Sequence, residues 1–191
     1  MPPTPPAPFE RIAVVGPTGC GKTTLAKALA QRLAIQHIEL DQFFWDANWE
    51  IAPLEVFRAR VAPAVAAPAW IADGNYSRVR DLVWTRATTL VWLDYHRPLI
   101  FWRLARRTIH RLVTGEQLWN NNRERPSDFF KPASFFQWAF KKHTRHHHEY
   151  PKLLATPQYA HLNLVRLRTP KETERWLESV PPSAEKVVSA R

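Results

Sequence analysis

One cysteine, Cys20, stands among 191 residues, so no disulfide can form within the chain. That suits a reducing compartment such as the cytoplasm. No apolar run approaches the length that spans a bilayer. Met1 to Pro8 is proline-rich and has no apolar stretch. It lacks the pattern of a secretory signal, and residues 1–9 read as a disordered lead-in. Glycine is scarce, five in all, yet Gly16, Gly19 and Gly21 fall in one short stretch. Acids are the minority charge: 17 Asp and Glu against 27 Lys and Arg leave a net +10. The excess is local, since residues 97–150 hold 11 Lys and Arg against 4 Asp and Glu. Such a segment suits an anionic ligand, either nucleotide phosphates or nucleic acid. The length is that of one domain that buries about 70% of its unfolded surface and needs no metal or disulfide staple.

What is present centres on Gly16 to Thr24, GPTGCGKTT. It fits G-x-x-x-x-G-K-[ST], with Gly16, Gly21, Lys22 and Thr23 in the fixed positions. A short apolar run, Arg11 to Val15, precedes it. A helical pattern follows, with Leu25, Ala28, Leu29 and Leu33 on one face. Strand, loop and helix are the context the motif requires. Backbone N–H groups of a tight loop and a helix start make a concave anion site. Gly16, Gly19 and Gly21 let the chain turn and approach phosphates closely. The residues expected around the nucleotide are Gly16, Pro17, Thr18, Gly19, Cys20, Gly21, Lys22, Thr23 and Thr24. Lys22 would hold the β- and γ-phosphates of ATP, and the Thr23 hydroxyl would reach Mg²⁺. Cys20 reads as a small loop filler.

Taken in order, strands alternate with helices. Ile35 to Leu40 is a second apolar run, interrupted by His37 and Glu39. Pro53 starts a helix carrying Leu54, Phe57, Val61 and Val65, and Pro63 should kink it or end it near Ala62. Trp70 to Asp73 reads as a third strand, followed by a short helix over 80–86. Thr88 to Asp94 is the clearest strand. Pro98 to Val113 forms a long Arg-rich helix. Residues 114–133, with three consecutive Asn at 120–122, read as irregular, and Phe135 to Tyr150 as helical. His161 to Arg168 is the last strand and Pro170 to Val180 the last helix, with Thr169 as its cap. The tail, 181–191, reads as loose. This alternation implies a parallel sheet covered on both faces, with ligands at the C-terminal strand ends.

The phosphate loop, LDQFFW after strand 2, ADGNY after strand 3 and WRLARR after LVWLD together resemble the adenylate-kinase-like P-loop proteins. The subgroup most similar is that labelled topology modulation proteins. The resemblance runs from Ile12 to Val180. It implies an α/β, three-layer P-loop NTPase fold with a five-stranded parallel sheet, as in nucleoside-monophosphate kinases. It also implies an ATP·Mg²⁺ site, an acceptor pocket and a basic, Arg-bearing helical lid at 114–150 within a domain spanning 10–180. The reaction implied is phosphoryl transfer from ATP to a nucleotide or another small acceptor.

By that resemblance, Asp41 contacts the acceptor and can take its proton; alternatively it caps the following turn. Glu39 and Asp41 resemble the paired acids of shikimate-kinase-like enzymes and would share one side if the strand continues. Asp73-Gly74 resembles the Asp-Gly of adenylate kinases, where the Asp helps place Mg²⁺ through water. Four residues later those enzymes carry an Arg; here position 77 is Ser, and the candidates are Arg78 and Arg80. Asp94 occupies a Walker-B position and ranks below Asp73. Arg103, Arg106, Arg107 and Arg111 fall on one helical face, with Arg103 and Arg107 the candidates for clamping the transferring group; the alternative is a solvated basic face. Arg123, Arg125 and Arg145 could add to the lid. Phe43, Phe44, Trp45, Trp49 and Tyr76 could form an aromatic pocket for a flat acceptor, with Gly74, Asn75 and Arg78 beside it, or be ordinary core. His143, His146, His147 and His148 read as a basic helix face. A second reading is a nucleotide-regulated nucleic-acid-binding protein, using Trp119, Phe135, Phe136, Trp138 and Phe140 in the basic segment.

Overall fold

The structure, a computed structural model, describes residues 9–122 and 147–183. Five strands form one sheet: β1 Arg11–Val15, β2 Gln36–Glu39, β3 Trp70–Asp73, β4 Thr89–Leu93 and β5 Asn163–Leu167. Their order is β2-β3-β1-β4-β5, and every pairing is parallel. The helices are α1 Lys22–Leu33, α2 Asp41–Phe44, α3 Leu54–Ala64, α4 Arg80–Trp84, α5 Arg97–Thr114, α6 over 147–154 and α7 Pro170–Ser179.

The two-residue period of a strand decides the layers. On β1, Ile12 and Val14 join one apolar cluster with Leu25, Leu29, Leu93, Ile100 and Leu167. Ala13 and Val15 point the other way, into a cluster with Phe57, Val61, Trp70, Trp84, Trp92 and Tyr150. Both faces are therefore covered, and the three-layer α/β P-loop fold expected from the alternation is the fold observed. Every loop leaving a C-terminal strand end then meets the others at one rim of the sheet.

Local departures have plain causes. Pro63 sits in the last turn of α3, which runs on to Ala64; a proline there removes a single ladder bond at the helix end. Gly115, at φ 61°, ends α5, its N–H donating to the Arg111 carbonyl at 3.0 Å. The described part of the expected 135–150 helix starts at 147 and continues through Pro151 to 154, since the proline ring's φ is helical. Thr169 caps α7, accepting from Glu172 N–H at 3.1 Å. At the start of the expected tail, Ser183 N–H donates to the Arg32 carbonyl at 3.0 Å. The lead-in apart from Phe9, and residues 123–146 with Arg123, Arg125, Arg145, His143 and His146, lie outside the described residues. Among the described residues no helix is long and apolar enough to cross a membrane.

Candidate active site

The loop between β1 and α1 turns through three left-handed glycines, Gly16 at φ 150°, Gly19 at 84° and Gly21 at 99°. At Gly16 a Cβ would lie 2.6 Å from the Leu93 carbonyl and 2.9 Å from Cys20 Sγ, so only glycine fits against β4. Gly21 precedes α1 with no side-chain cap, which leaves the first N–H groups of a twelve-residue helix free for an anion. Thr18 to Thr24 line an open cleft of about 2140 Å³. Gly16 and Pro17 are buried behind the loop. Pro17 takes part through its carbonyl, which accepts from Lys22 Nζ at 3.1 Å. Cys20 is buried, and burial pushes its thiol pKa up, so it stays a neutral filler.

At the foot of the loop the Thr23 hydroxyl donates to Asp73 Oδ2 at 2.7 Å, and Glu39 Oε1 lies 3.4 Å away. Residue pairing makes this possible, because Glu39 and Asp73 are opposite each other in the β2–β3 ladder. His37 Nε2 bonds the other Asp73 oxygen at 2.8 Å. Asp73 is buried and so held from two sides. Burial first, then the Asp73 charge, pushes the Glu39 carboxyl pKa up. A threonine hydroxyl with two carboxylates is a set of hard oxygens, and it fits Mg²⁺ carried in with a nucleotide. Among the described residues, no cluster of three or more His, Cys, Asp and Glu is arranged to hold a metal by itself.

Across the cleft lies Asp41. The strand does not continue to it: β2 stops at Glu39, and Asp41 opens α2. Asp41 therefore does not share a strand face with Glu39, and the residue at the N-cap of α2 is Leu40. Instead Tyr76 OH donates to Asp41 Oδ1. Burial and the Asp41 charge push the Tyr76 pKa far up, so the phenol remains a donor. Phe44, Trp45, Trp49 and Tyr76 line the cleft beside Asp41; Phe43 packs against the core. Gly74, at φ 142°, lets the chain pass Leu40, whose Cβ would be 2.9 Å from a Cβ there.

Asn75 lines the cleft beside Gly74 and Tyr76 and has a second task. It brackets Gly16, accepting from its N–H at 3.1 Å and donating to its carbonyl, while Tyr150 OH donates to Asn75 Oδ1 at 3.1 Å. It ties the phosphate loop to the end of β3. Arg103, Arg107 and Arg111 line the cleft from α5. Arg106 does not share that face: it is exposed and stacks over Trp102, 5.5 Å from the ring centroid. Arg103 donates to the Cys20 carbonyl at 3.0 Å. Asp94 is engaged elsewhere, by Arg166 at 2.9 and 2.5 Å and His147 at 3.2 Å. Arg78 lies exposed on the cleft wall, whereas Arg80 stacks over Trp84 at 5.1 Å.

Sequence reasoning missed three contributors. His37 carried a signal, since it alternates with Glu39 on one strand. Trp119 stands on the cleft wall and acts against the rise in the Glu39 pKa. Asn122 accepts from Trp49 N–H at 2.8 Å and donates to the Asp46 carbonyl at 2.8 Å, fastening the segment after α5 to the loop after α2. Neither of these two was legible, because both contacts join segments more than 70 residues apart.

Fold and loop together have the form of the P-loop fold. A model of the ATPase family associated with various cellular activities (AAA) matches residues 12–55. Shikimate kinase 2 of Escherichia fergusonii is 41% identical over 74 residues, covering 33% of this chain and 40% of that protein's length. Shikimate kinase from Bacteroides thetaiotaomicron superposes with a TM-score of 0.53 at 16% identity, covering 94% of this chain and 98% of the other. Shikimate kinase from Acinetobacter baumannii, in complex with shikimate, gives 0.52 at 16% over 96% and 95%. A gluconokinase from Sinorhizobium meliloti gives 0.52 at 17% over 95% and 97%. At such identities the three structures establish the shared fold.

Proposed function

We propose that the protein is an ATP-dependent phosphotransferase that moves the γ-phosphate to a hydroxyl of a small acceptor. The observation that carries this reading is one cleft lined by the phosphate loop on one side and Asp41, held by Tyr76, on the other. The shikimate kinase and gluconokinase likenesses support it.

In this reading the loop amides and Lys22 hold the phosphates. Lys22 leaves the Pro17 carbonyl to do so. Thr23, Asp73 and Glu39 hold Mg²⁺, which when bound neutralises phosphate charge. Asp41 accepts the proton of the acceptor hydroxyl as its oxygen bonds to the γ-phosphorus, and the bond from that phosphorus to the bridging oxygen breaks, releasing ADP. Arg103 and Arg107 stabilise charge on the transferring group. Trp45, Gly74, Tyr76 and Arg78 border the acceptor, and Asn75 positions the loop. Residues 114–150 act as the lid of a single domain spanning 10–180. The buried thiol in place of any disulfide suits the cytoplasm.

An acceptor that is itself a phosphate, as in adenylate-kinase-like enzymes, needs no base, and Asp41 would then only position it. The nucleic-acid reading rests largely on Phe135, Phe136, Trp138 and Phe140, which lie outside the described residues, and no contact among the described residues favours it. The deciding experiment is acceptor-dependent ADP release from ATP·Mg²⁺, with Lys22→Ala as the blank. Turnover lost in the blank is the expected result; ATP binding with no acceptor-dependent turnover would exclude the proposal.

A further inference from the structure

We propose that His37 is a positioning residue of the Mg²⁺·nucleotide site: through Asp73 it fixes the Thr23 hydroxyl that a nucleotide-bound Mg²⁺ meets. This rests on the kinase reading above, which assigns Mg²⁺ to Thr23, Asp73 and Glu39.

The sheet register builds the contact. In the β2–β3 ladder His37 is opposite Ile71, and Glu39 is opposite Asp73. Side chains two residues apart on a strand share a face, so all four lie on the side where Ile71 packs with Leu25 and Leu29 of α1. From there His37 Nε2 reaches diagonally to Asp73 Oδ1 at 2.8 Å. An ionised carboxylate only accepts, so the imidazole nitrogen is the donor. The other oxygen, Asp73 Oδ2, accepts from the Thr23 hydroxyl at 2.7 Å. Three elements, β2, β3 and α1, thus meet in one chain of hydrogen bonds.

The order of that chain gives His37 its task. Thr23 and Glu39 line the cleft; Asp73 and His37 stand behind them. With its hydrogen given to Asp73, the Thr23 oxygen keeps its lone pairs for a cation on the cleft side. That holds only while Asp73 keeps its orientation. The terminal torsion of an aspartate is broad and roughly two-fold, so one bond at one oxygen leaves the carboxylate plane free to turn. The His37 donor on the second oxygen removes that freedom. The Asp73 side chain is 3% exposed and that of His37 15%, so little water competes for the bond. Partners that orient a metal-binding group from outside tune its affinity for the metal without touching it.

The test is calorimetric binding of a non-hydrolysable ATP analogue to the whole chain, in excess Mg²⁺ and in EDTA. His37→Leu, His37→Gln and His37→Asn are compared with the parent. The Kd ratio between the two conditions is taken within each variant, and the Tm of the free protein is read beside it, so a general loss of stability does not mimic the effect. His37→Leu should weaken binding in Mg²⁺ about tenfold and change it less than about twofold in EDTA. His37→Gln, whose amide reaches about as far as Nε2, should restore most of the affinity; His37→Asn, one carbon shorter, should not. The contrast between Gln and Asn decides the matter if His37→Leu does not fold. Equal weakening in Mg²⁺ and EDTA, no weakening, or a Gln variant no better than Asn overturns the inference and leaves the kinase reading standing. A parent that binds the analogue no more tightly with Mg²⁺ overturns the inference together with the Mg²⁺ assignment. The expected pattern without turnover of any acceptor supports the role of His37 and removes the kinase reading alone.

Discussion

Asp41 and Glu39 stand two residues apart and have different surroundings, because the backbone changes from strand to helix between them. For a hydroxyl acceptor, Asp41→Asn should lower kcat about 10²- to 10⁴-fold while acceptor KM moves little, the pattern of a lost proton acceptor. Steady-state kinetics checks both numbers. Tyr76→Phe should cost less, since it removes the group that orients the base and not the base. Glu39 gives a stability prediction. Its pKa in the fold is raised above the ordinary value of 4.5, by burial and by Asp73. The folded state therefore holds a proton that the unfolded state releases, and the favourable contribution present below pH 4.5 is lost as pH rises through the folded value. Glu39→Gln should melt higher than the parent near pH 8, and the gap should narrow as pH falls toward 5. Thermal melts across that range decide it, and a gap that widens toward acid contradicts the assigned sign.

At the scale of elements, the phosphate loop is held by its neighbours as much as by its own glycines. Asn75 brackets Gly16 from the end of β3, Arg103 bonds the Cys20 carbonyl from α5, and the Leu93 carbonyl of β4 blocks any side chain at Gly16. Gly16→Ala meets backbone, which cannot rotate away, in a φ region that L side chains avoid. It should cost about 1–3 kcal/mol of stability and weaken nucleotide binding. Thr169→Ala, in contrast, removes one cap from α7 and touches neither the phosphate loop nor Asp41. Urea titration should show about 0.5–2 kcal/mol lost with kcat unchanged. The pair separates strain at the loop from ordinary helix stability.

For the whole molecule, the parallel sheet gathers the loops after β1, β2, β3 and β4 at one rim, so a ligand there touches segments distant in sequence. Binding must then stabilise the entire fold. ATP·Mg²⁺ at a hundred times its Kd should add about 2.7 kcal/mol, a rise of roughly 5–10 °C in Tm for a chain this long. Lys22→Ala should remove most of that rise while leaving the unliganded Tm near the parent's, because among the described residues the Lys22 ammonium bonds only the Pro17 carbonyl. Differential scanning fluorimetry with and without nucleotide measures it.

The phosphate loop, the five strands and the longer flanking helices α1, α3, α5 and α7 were legible in the sequence, because they depend on local spacing: glycines at fixed intervals, apolar residues at periods of two and 3.6. Lys22, Thr23, Asp41 and Asp73 could be proposed as candidates for the same reason, each standing at a strand or helix end. Partnership was decided only in the fold. Asn75 turned to Gly16, Asp94 to Arg166, Arg58 to Asp81, and Arg106 away from its neighbours onto Trp102. A side chain's hydrogen-bond partner is set by which strand or helix packs against it. His37 meeting Asp73, Trp119 reaching Glu39 and Asn122 clasping the loop after α2 all span chain distances at which no periodicity survives.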